Sequence, residues 1–129
     1  MTARGGSPLA RVLGKGSAHE GVHHWRAQRT TALAMVPLTL WFLFSILALP
    51  DLGFSSVTGW LSHPWSAVLA CLLVVCVGWH SSLGVQVVIE DYVHGPLGFA
   101  CLLANSAVHV LFVAAGVFAV LRIALTTVQ

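Results

Sequence analysis

Residues 65–95 read WSAVLACLLVVCVGWHSSLGVQVVIEDYVHG, and this stretch decides the class of fold. From Trp65 to Ile89 it contains no Asp, Glu, Lys or Arg. About 20 mainly apolar residues are enough for an α-helix to cross the hydrocarbon core of a bilayer. The stretch therefore predicts a transmembrane helix that carries His80 in mid-span and ends in a polar cluster, Glu90-Asp91-Tyr92.

The composition of the whole chain extends this prediction. Of the 129 residues, 57% are hydrophobic and 8% are charged, whereas soluble domains carry about 25% charged residues. Two further runs, Thr30–Pro50 and Tyr92–Leu121, also lack charged side chains. We therefore predict an all-α membrane protein with three transmembrane helices, at about residues 30–49, 65–89 and 97–121.

The basic residues predict how the chain is oriented. Five of the six Lys and Arg residues precede the first span: Arg4, Arg11, Lys15, Arg26 and Arg29. Because basic residues concentrate on the cytoplasmic side, we expect a cytoplasmic N-terminus and a periplasmic C-terminus in a bacterial inner membrane. The first apolar run is long enough to span and has no evident small-residue cleavage site, so we expect no cleaved signal peptide. In this orientation His23 and Arg29 would share the membrane level of Asp91 and Tyr92.

His80 is the residue whose position most needs an explanation. An ionisable side chain in mid-membrane is costly, so it normally faces the bundle interior or a cavity. Two alternatives are open: a neutral imidazole hydrogen-bonded to a neighbouring helix, or an axial ligand of a haem, since imidazole binds haem iron. Gly84, one turn further along, would leave room for a flat ring. We expect His109 to pack or to hydrogen-bond between helices, with Asn105 as a candidate partner, so a second axial ligand would come from another subunit.

The polar cluster at the cytoplasmic face suits a second ligand. Asp91 follows His80 by eleven residues, which puts both on one helix face about 16 Å apart. Tyr92 offers a phenolic donor to a quinone carbonyl, and Asp91 could orient a partner or relay a proton. Arg29 and His23 are suitable partners for haem propionates. The alternative is that Arg29 is a positive-inside anchor and Tyr92 an interfacial belt residue.

Two motifs resemble a known family. The first is His80-x3-Gly84-x-Gln86-x4-Asp91-Tyr92, and the second is Gly21-Val22-His23 followed by Arg29-Thr30-Thr31-Ala32. Together, in this order and with three spans, they resemble the smaller hydrophobic membrane-anchor subunit of succinate dehydrogenase, the succinate:quinone oxidoreductase of respiratory complex II. The form GVQVVIEDYVH is similar to alphaproteobacterial and mitochondrial-type members. The resemblance covers about residues 20–125.

The resemblance implies a role for each candidate residue. His80 would be one axial ligand of the iron of a single haem b, and a histidine of the second membrane-anchor subunit would be the other. Tyr92 would hydrogen-bond ubiquinone and Asp91 would support that site. Arg29 and His23 would meet the haem propionates or the quinone edge. FAD and the iron–sulfur clusters would belong to the flavoprotein and iron–sulfur subunits, so this chain would be part of an enzyme but not catalytic alone.

The resemblance also implies a domain organisation and a set of partners. Residues 1–28 would form a cytoplasmic segment and residues 29–129 the three-helix membrane-anchor domain. The partners would be three other subunits, membrane lipid and ubiquinone, with no nucleic acid.

Two other classes of protein stay open. A small transporter or channel subunit would use His80, Asp91 and Glu90 as a proton or metal path, although the first span adds no ionisable residue. A purely structural tethering protein would leave the mid-membrane position of His80 unexplained.

Overall fold

The chain is described by a computed structural model over residues 18–126, and this part is helical throughout apart from short connections. Its helices are α1 (Ala18–Leu47), α2 (Phe54–Ser62), α3 (Pro64–Tyr92) and α4 (Gly95–Thr126). Within the described residues, three helices contain stretches long and apolar enough to cross a membrane: Trp25–Leu47, Pro64–Tyr92 and Gly95–Thr126. The prediction of an all-α protein with three transmembrane helices is confirmed.

The helix boundaries follow from local chemistry. His63 occupies the N-cap position of α3 and Pro64 its first turn, where the missing amide proton of proline costs nothing. The helix ends at Tyr92, and Val93 is already extended. Gly95 then adopts a φ of +72°, a backbone conformation that glycine reaches without strain. This turn allows α4 to start at once, beside α3 and antiparallel to it.

Helix α2 lies between the first two predicted spans, in residues 50–64, where no helix was predicted. The carboxylate of Asp51 accepts hydrogen bonds from the Ser56 hydroxyl at 2.8 Å and the Gly53 amide at 2.7 Å. These bonds, the Ser56 bond first, lower the pKa of Asp51 from its ordinary value. Trp60 stacks on Trp41 of α1, with ring centroids 5.6 Å apart. The short helix is thus fixed at its start by polar contacts and near its end by an aromatic one.

Helix α3 is the centre of the arrangement. Helices α1 and α4 both pack against α3, and within residues 18–126 they do not approach each other. Two seams result, one on each side of α3, and large apolar side chains point outward along all three long helices. Lipid tails or a partner's apolar helices can cover such faces.

The seam between α3 and α4 depends on small residues. A Cβ atom added at Gly116 would lie 2.8 Å from Cγ1 of Val74, and one added at Gly78 would overlap Cγ2 of Val113. Small residues of this kind let transmembrane helices approach closely. The buried side chain of Asn105 adds a polar link, since its Nδ2 donates to the carbonyl oxygen of Ser82 at 3.1 Å.

Candidate functional site

His80 lies in the seam between α1 and α3. Its polar neighbours Ser81 and Ser82 contact α4, on the other side of α3. Its Nδ1 is 3.0 Å from Oγ1 of Thr31 on α1. Thr31 is itself buried, and its hydroxyl is 2.8 Å from the carbonyl oxygen of Ala27, one turn earlier. The mid-span histidine therefore faces another helix of the bundle rather than lipid alone.

The second ring nitrogen of His80 is less firmly held. Its Nε2 is 3.4 Å from the amide nitrogen Nε2 of Gln28, which is longer than the usual range for an N–H hydrogen bond. The amide oxygen Oε1 of Gln28 is buried and has no hydrogen-bond partner. One ring nitrogen of His80 is therefore held closely by Thr31. The other has only a weak contact with the Gln28 amide, whose oxygen has no hydrogen-bond partner.

Two open grooves meet at His80. The first has a volume of about 370 Å³ and is lined by Gln28, His80, Ser81, Gly84, Val85 and Val88. The second has a volume of about 410 Å³ and is lined by Ala32, Met35, Val36, Thr39, Leu40 and His80. Both volumes fall in the range of small-molecule sites, about 300–1,000 Å³, and both linings are mainly apolar. A flat apolar group could therefore approach His80 from either side.

The donor set fits a haem better than a bare metal ion. Within residues 18–126 no group of three or more His, Cys, Asp or Glu side chains could hold an ion. His80 is a single protein ligand, which suits an iron whose four equatorial donors belong to a porphyrin. Gly84 lines the first groove, and a Cβ added there would meet nothing closer than Gln28 Nε2 at 4.0 Å. The residues present thus fit the group that the motif implies.

Arg29 lies at a different level from the one expected. Because Thr31 contacts His80, Arg29 lies within one helical turn of the His80 level, about 3 Å along α1 from Thr31. Asp91 lies about 16 Å from His80 along α3. The prediction that Arg29 shares the level of Asp91 and Tyr92 is therefore wrong, since the antiparallel register of α1 and α3 sets Arg29 deeper.

The side chains of Arg29 and His23 are both exposed, at different depths. The Arg29 guanidinium carbon is 5.0 Å from the ring centroid of Trp25, a cation–π contact. His23 precedes Thr31 by eight residues, which places it about 12 Å away along α1 and toward the Asp91 end of α3. The structure therefore brings Arg29 near the His80 level and His23 near the polar end of α3.

Asp91 and Tyr92 form the last turn of α3, and both are exposed. Tyr92 has 81% of its surface accessible, which leaves its hydroxyl available to a ligand or to another subunit. One turn before, Gln86 donates a hydrogen bond to Glu90 at 2.8 Å. Asp91 and Tyr92 are thus separate from His80 along α3 and form a second candidate site.

His109 makes one contact with a neighbouring helix and one within its own helix. Its Nε2 is 3.2 Å from Oγ of Ser81 on α3, and its Nδ1 is 2.8 Å from the main-chain oxygen of Asn105. The prediction of an interhelical hydrogen bond is confirmed with Ser81 as the partner, whereas Asn105, the candidate partner, lies on α4 with His109. Both ring nitrogens of His109 have partners in this chain, so neither is available to a ligand without breaking a contact.

Two residues at the site had no role assigned from the sequence, Gln28 and Thr31. Both are polar, three positions apart on one face of α1, at the opening of an apolar helix. Such spacing puts side chains next to each other on a helix surface. The spacing of Gln28 and Thr31 indicates a polar patch on α1. It does not identify His80 as the partner, because that depends on the packing of α1 against α3.

Comparisons with known proteins agree with the motifs. The family model described as "Succinate dehydrogenase/Fumarate reductase transmembrane subunit" matches residues 3–123. The succinate dehydrogenase hydrophobic membrane anchor subunit of Rickettsia bellii is 35% identical over 85 residues, which cover 66% of this chain and 68% of the relative. That of Paracoccus denitrificans is 29% identical over 120 residues, or 92% of each chain. This chain therefore belongs to the succinate dehydrogenase/fumarate reductase transmembrane subunit family, among the membrane anchors of succinate dehydrogenase.

Proposed function

We propose that this chain helps to bind haem b and ubiquinone in succinate:quinone oxidoreductase while it anchors the soluble subunits to the membrane. The observation that supports this most strongly is the setting of His80. One ring nitrogen is held by Thr31, and the other has a single long contact at the edge of an apolar groove. Membership of the anchor family favours this function over a small transporter or a tether.

His80 would hold the haem from this chain, and a histidine of the second membrane-anchor subunit would supply the other axial ligand. The bound haem would supply a one-electron redox centre inside the membrane. Arg29 lies near the level of His80 along α1, so its guanidinium would pair with a propionate. His23, further toward the cytoplasmic end, would lie nearer the quinone edge. Each basic residue thus receives one of the two roles that the motif left open.

Tyr92 and Asp91 would serve ubiquinone. The exposed Tyr92 hydroxyl can donate a hydrogen bond to a quinone carbonyl, and the Asp91 carboxylate can orient a cationic partner or take part in proton delivery. Since both side chains are exposed in this chain, the rest of the quinone site would come from the second anchor and the iron–sulfur subunit. Electrons from succinate would arrive there from FAD and the iron–sulfur clusters of the partner subunits.

The proposed setting is the inner membrane of a bacterium. The N-terminus would be cytoplasmic and the C-terminus periplasmic, because five of six basic residues precede the first span. The partners would be the second membrane-anchor subunit, the iron–sulfur subunit, the flavoprotein subunit and membrane lipid. The chain would be inactive alone, because it contributes neither the succinate site nor the first electron carriers.

Substitution of Tyr92 in the complete purified complex tests the quinone role. We expect Tyr92→Phe to slow succinate-driven ubiquinone reduction several-fold or more, since a lost hydrogen bond is worth about 1 kcal/mol net and more when a buried partner is left unpaired. Electron transfer from succinate to an artificial acceptor should persist, and the haem spectrum should match that of the parent.

Two further variants sharpen this test. Asp91→Asn should also slow quinone reduction, because it removes the charge beside the phenol. Trp65→Phe is a matched control, since it alters an exposed aromatic side chain at the other end of α3. Unchanged quinone reduction in both Tyr92→Phe and Asp91→Asn would place the quinone elsewhere.

A further inference from the structure

We infer that Thr31 is a positioning residue for His80: its hydroxyl holds the imidazole with the proton on Nδ1 and the lone pair on Nε2. The inference rests on the proposed role of His80 as a haem ligand and deepens it. It assigns to α1 a direct part in preparing the ligand that α3 carries.

The bonding of the Thr31 hydroxyl is the first step of the argument. A threonine hydroxyl has one proton to donate and lone pairs with which to accept. Two main-chain oxygens compete for that proton, those of Ala27 at 2.8 Å and Gln28 at 3.1 Å. A carbonyl oxygen can only accept, so the Thr31 hydroxyl donates along its own helix.

The consequence for His80 follows from the remaining contact. With its proton used on α1, Oγ1 of Thr31 meets Nδ1 of His80 at 3.0 Å as an acceptor. Nδ1 must then carry the ring proton. In a neutral imidazole this leaves Nε2 unprotonated, and an unprotonated nitrogen is the one that can bind a metal.

Gln28 contacts the other ring nitrogen of His80. Its amide nitrogen is a donor and lies 3.4 Å from Nε2 of His80, so the contact is compatible with the Nε2 lone pair that the Thr31 bond implies. The contact is long, and Oε1 of Gln28 is buried without a hydrogen-bond partner. A ligand at Nε2 would therefore displace a weakly held amide and not a strong partner.

The hydrogen bond to Thr31 should also tune the ligand. When a ligating histidine donates its other N–H, the bond fixes the ring orientation and raises the basicity of the ligating nitrogen. A more basic ligand stabilises ferric iron more than ferrous iron. Loss of the Thr31 hydroxyl should therefore loosen the haem and move its midpoint potential to more positive values.

Two substitutions at Thr31, made in the complete complex, test this role. Thr31→Val removes the hydroxyl and keeps the branched shape, whereas Thr31→Ser keeps the hydroxyl. For Thr31→Val we expect the haem affinity to fall about 10–100-fold, the usual effect of losing such an outer partner, so that less haem is retained. The haem that remains should show a more positive potential and an altered paramagnetic resonance signal. Thr31→Ser should stay close to the parent in all three readouts.

Thr30→Val is the matched control, because it makes the same change at the exposed neighbouring position. Thr31→Ala provides a second hydroxyl-free variant if Thr31→Val hinders assembly of the complex. Assembly is measured independently of haem by electron transfer from succinate to an artificial acceptor. Equal potential and retention in the parent, Thr31→Val and Thr31→Ala would overturn the inference. Absence of haem from the parent complex, or an unchanged haem in His80→Ala, would instead overturn the proposed function.

Discussion

At the scale of single residues, the two mid-span histidines differ in what their ring nitrogens contact. His109 has a partner for each nitrogen, the carbonyl of Asn105 and the hydroxyl of Ser81. His80 has one close partner, Thr31, and one long contact to an amide. The capacity to bind a further group therefore lies with His80, while His109 ties α4 to α3.

The depth of Arg29 leads to a prediction at this scale. If the Arg29 guanidinium pairs with a haem propionate near the His80 level, the negative propionate offsets part of its effect on the reduced haem. Removal of Arg29 still takes a positive charge away from beside the iron. We expect Arg29→Gln to move the haem midpoint potential to more negative values, measured by redox titration of the purified complex. A positive charge near a redox centre favours the reduced form, which carries one positive charge fewer.

Arg26→Gln is the control for Arg29→Gln, since Arg26 is also exposed but lies one turn nearer the start of α1. It should leave the potential close to that of the parent. Equal shifts in both variants, or no shift in either, would show that Arg29 is only a membrane-surface anchor.

At the scale of the helices, composition was enough to predict the three long elements. Their charge-free runs of 20 or more residues leave little alternative in a bilayer. It was not enough for α2, whose nine residues depend on contacts with distant parts of the chain, such as Trp60 on Trp41. The same limit explains the site: His80 stood out because it is polar in an apolar run, whereas the Thr31 contact depends on the register between α1 and α3, which no local pattern encodes.

The close approach of α3 and α4 gives a prediction at this scale. Gly78→Ala should separate the two helices, because the added Cβ would overlap the stiff side chain of Val113. Overpacking of this kind costs about 1–3 kcal/mol. We expect a lower thermal stability of the complex in detergent. The measurement is the temperature at which activity or the helical circular dichroism signal is lost.

Gly59→Ala makes the same chemical change in α2, where a Cβ atom would meet nothing within 4 Å. Since alanine is a better helix former than glycine by about 0.5–1 kcal/mol, this control should be neutral or slightly stabilising. A Gly78→Ala complex as stable as the Gly59→Ala complex would mean that the α3–α4 seam is looser than described.

At the scale of the whole molecule, the chain is an open layer of helices whose apolar surface is mostly outward. Within residues 18–126 the buried hydrophobic side chains are Leu61, Ala67 and Ala70. So small a core cannot order the chain in water, and the outward faces belong against lipid and against other subunits. The grooves beside His80 open on such a face, which fits a cofactor shared with a second anchor.

Orientation in the membrane can be tested directly. A reporter active in the periplasm and fused after Gln129 should be active, and a reporter active in the cytoplasm should work when fused at the N-terminus. The reason is the excess of basic residues before the first span. The reverse pattern would put Asp91 and Tyr92 on the side away from the soluble electron donors and would remove the basis of the quinone site.

The optical and paramagnetic resonance spectra of the purified complex test the role of His80 most directly, with His80→Ala compared against His109→Ala. Both variants remove a mid-span imidazole that lines an open groove, and the groove at His109 has a volume of about 560 Å³. Only His80 has a weakly held ring nitrogen, since both nitrogens of His109 have close partners. We expect a b-type haem signal in the reduced-minus-oxidised spectrum of the parent and of His109→Ala. His80→Ala should lose that signal or show a changed ligation state. A haem spectrum in His80→Ala identical to that of the parent would contradict the assignment of His80 as the ligand.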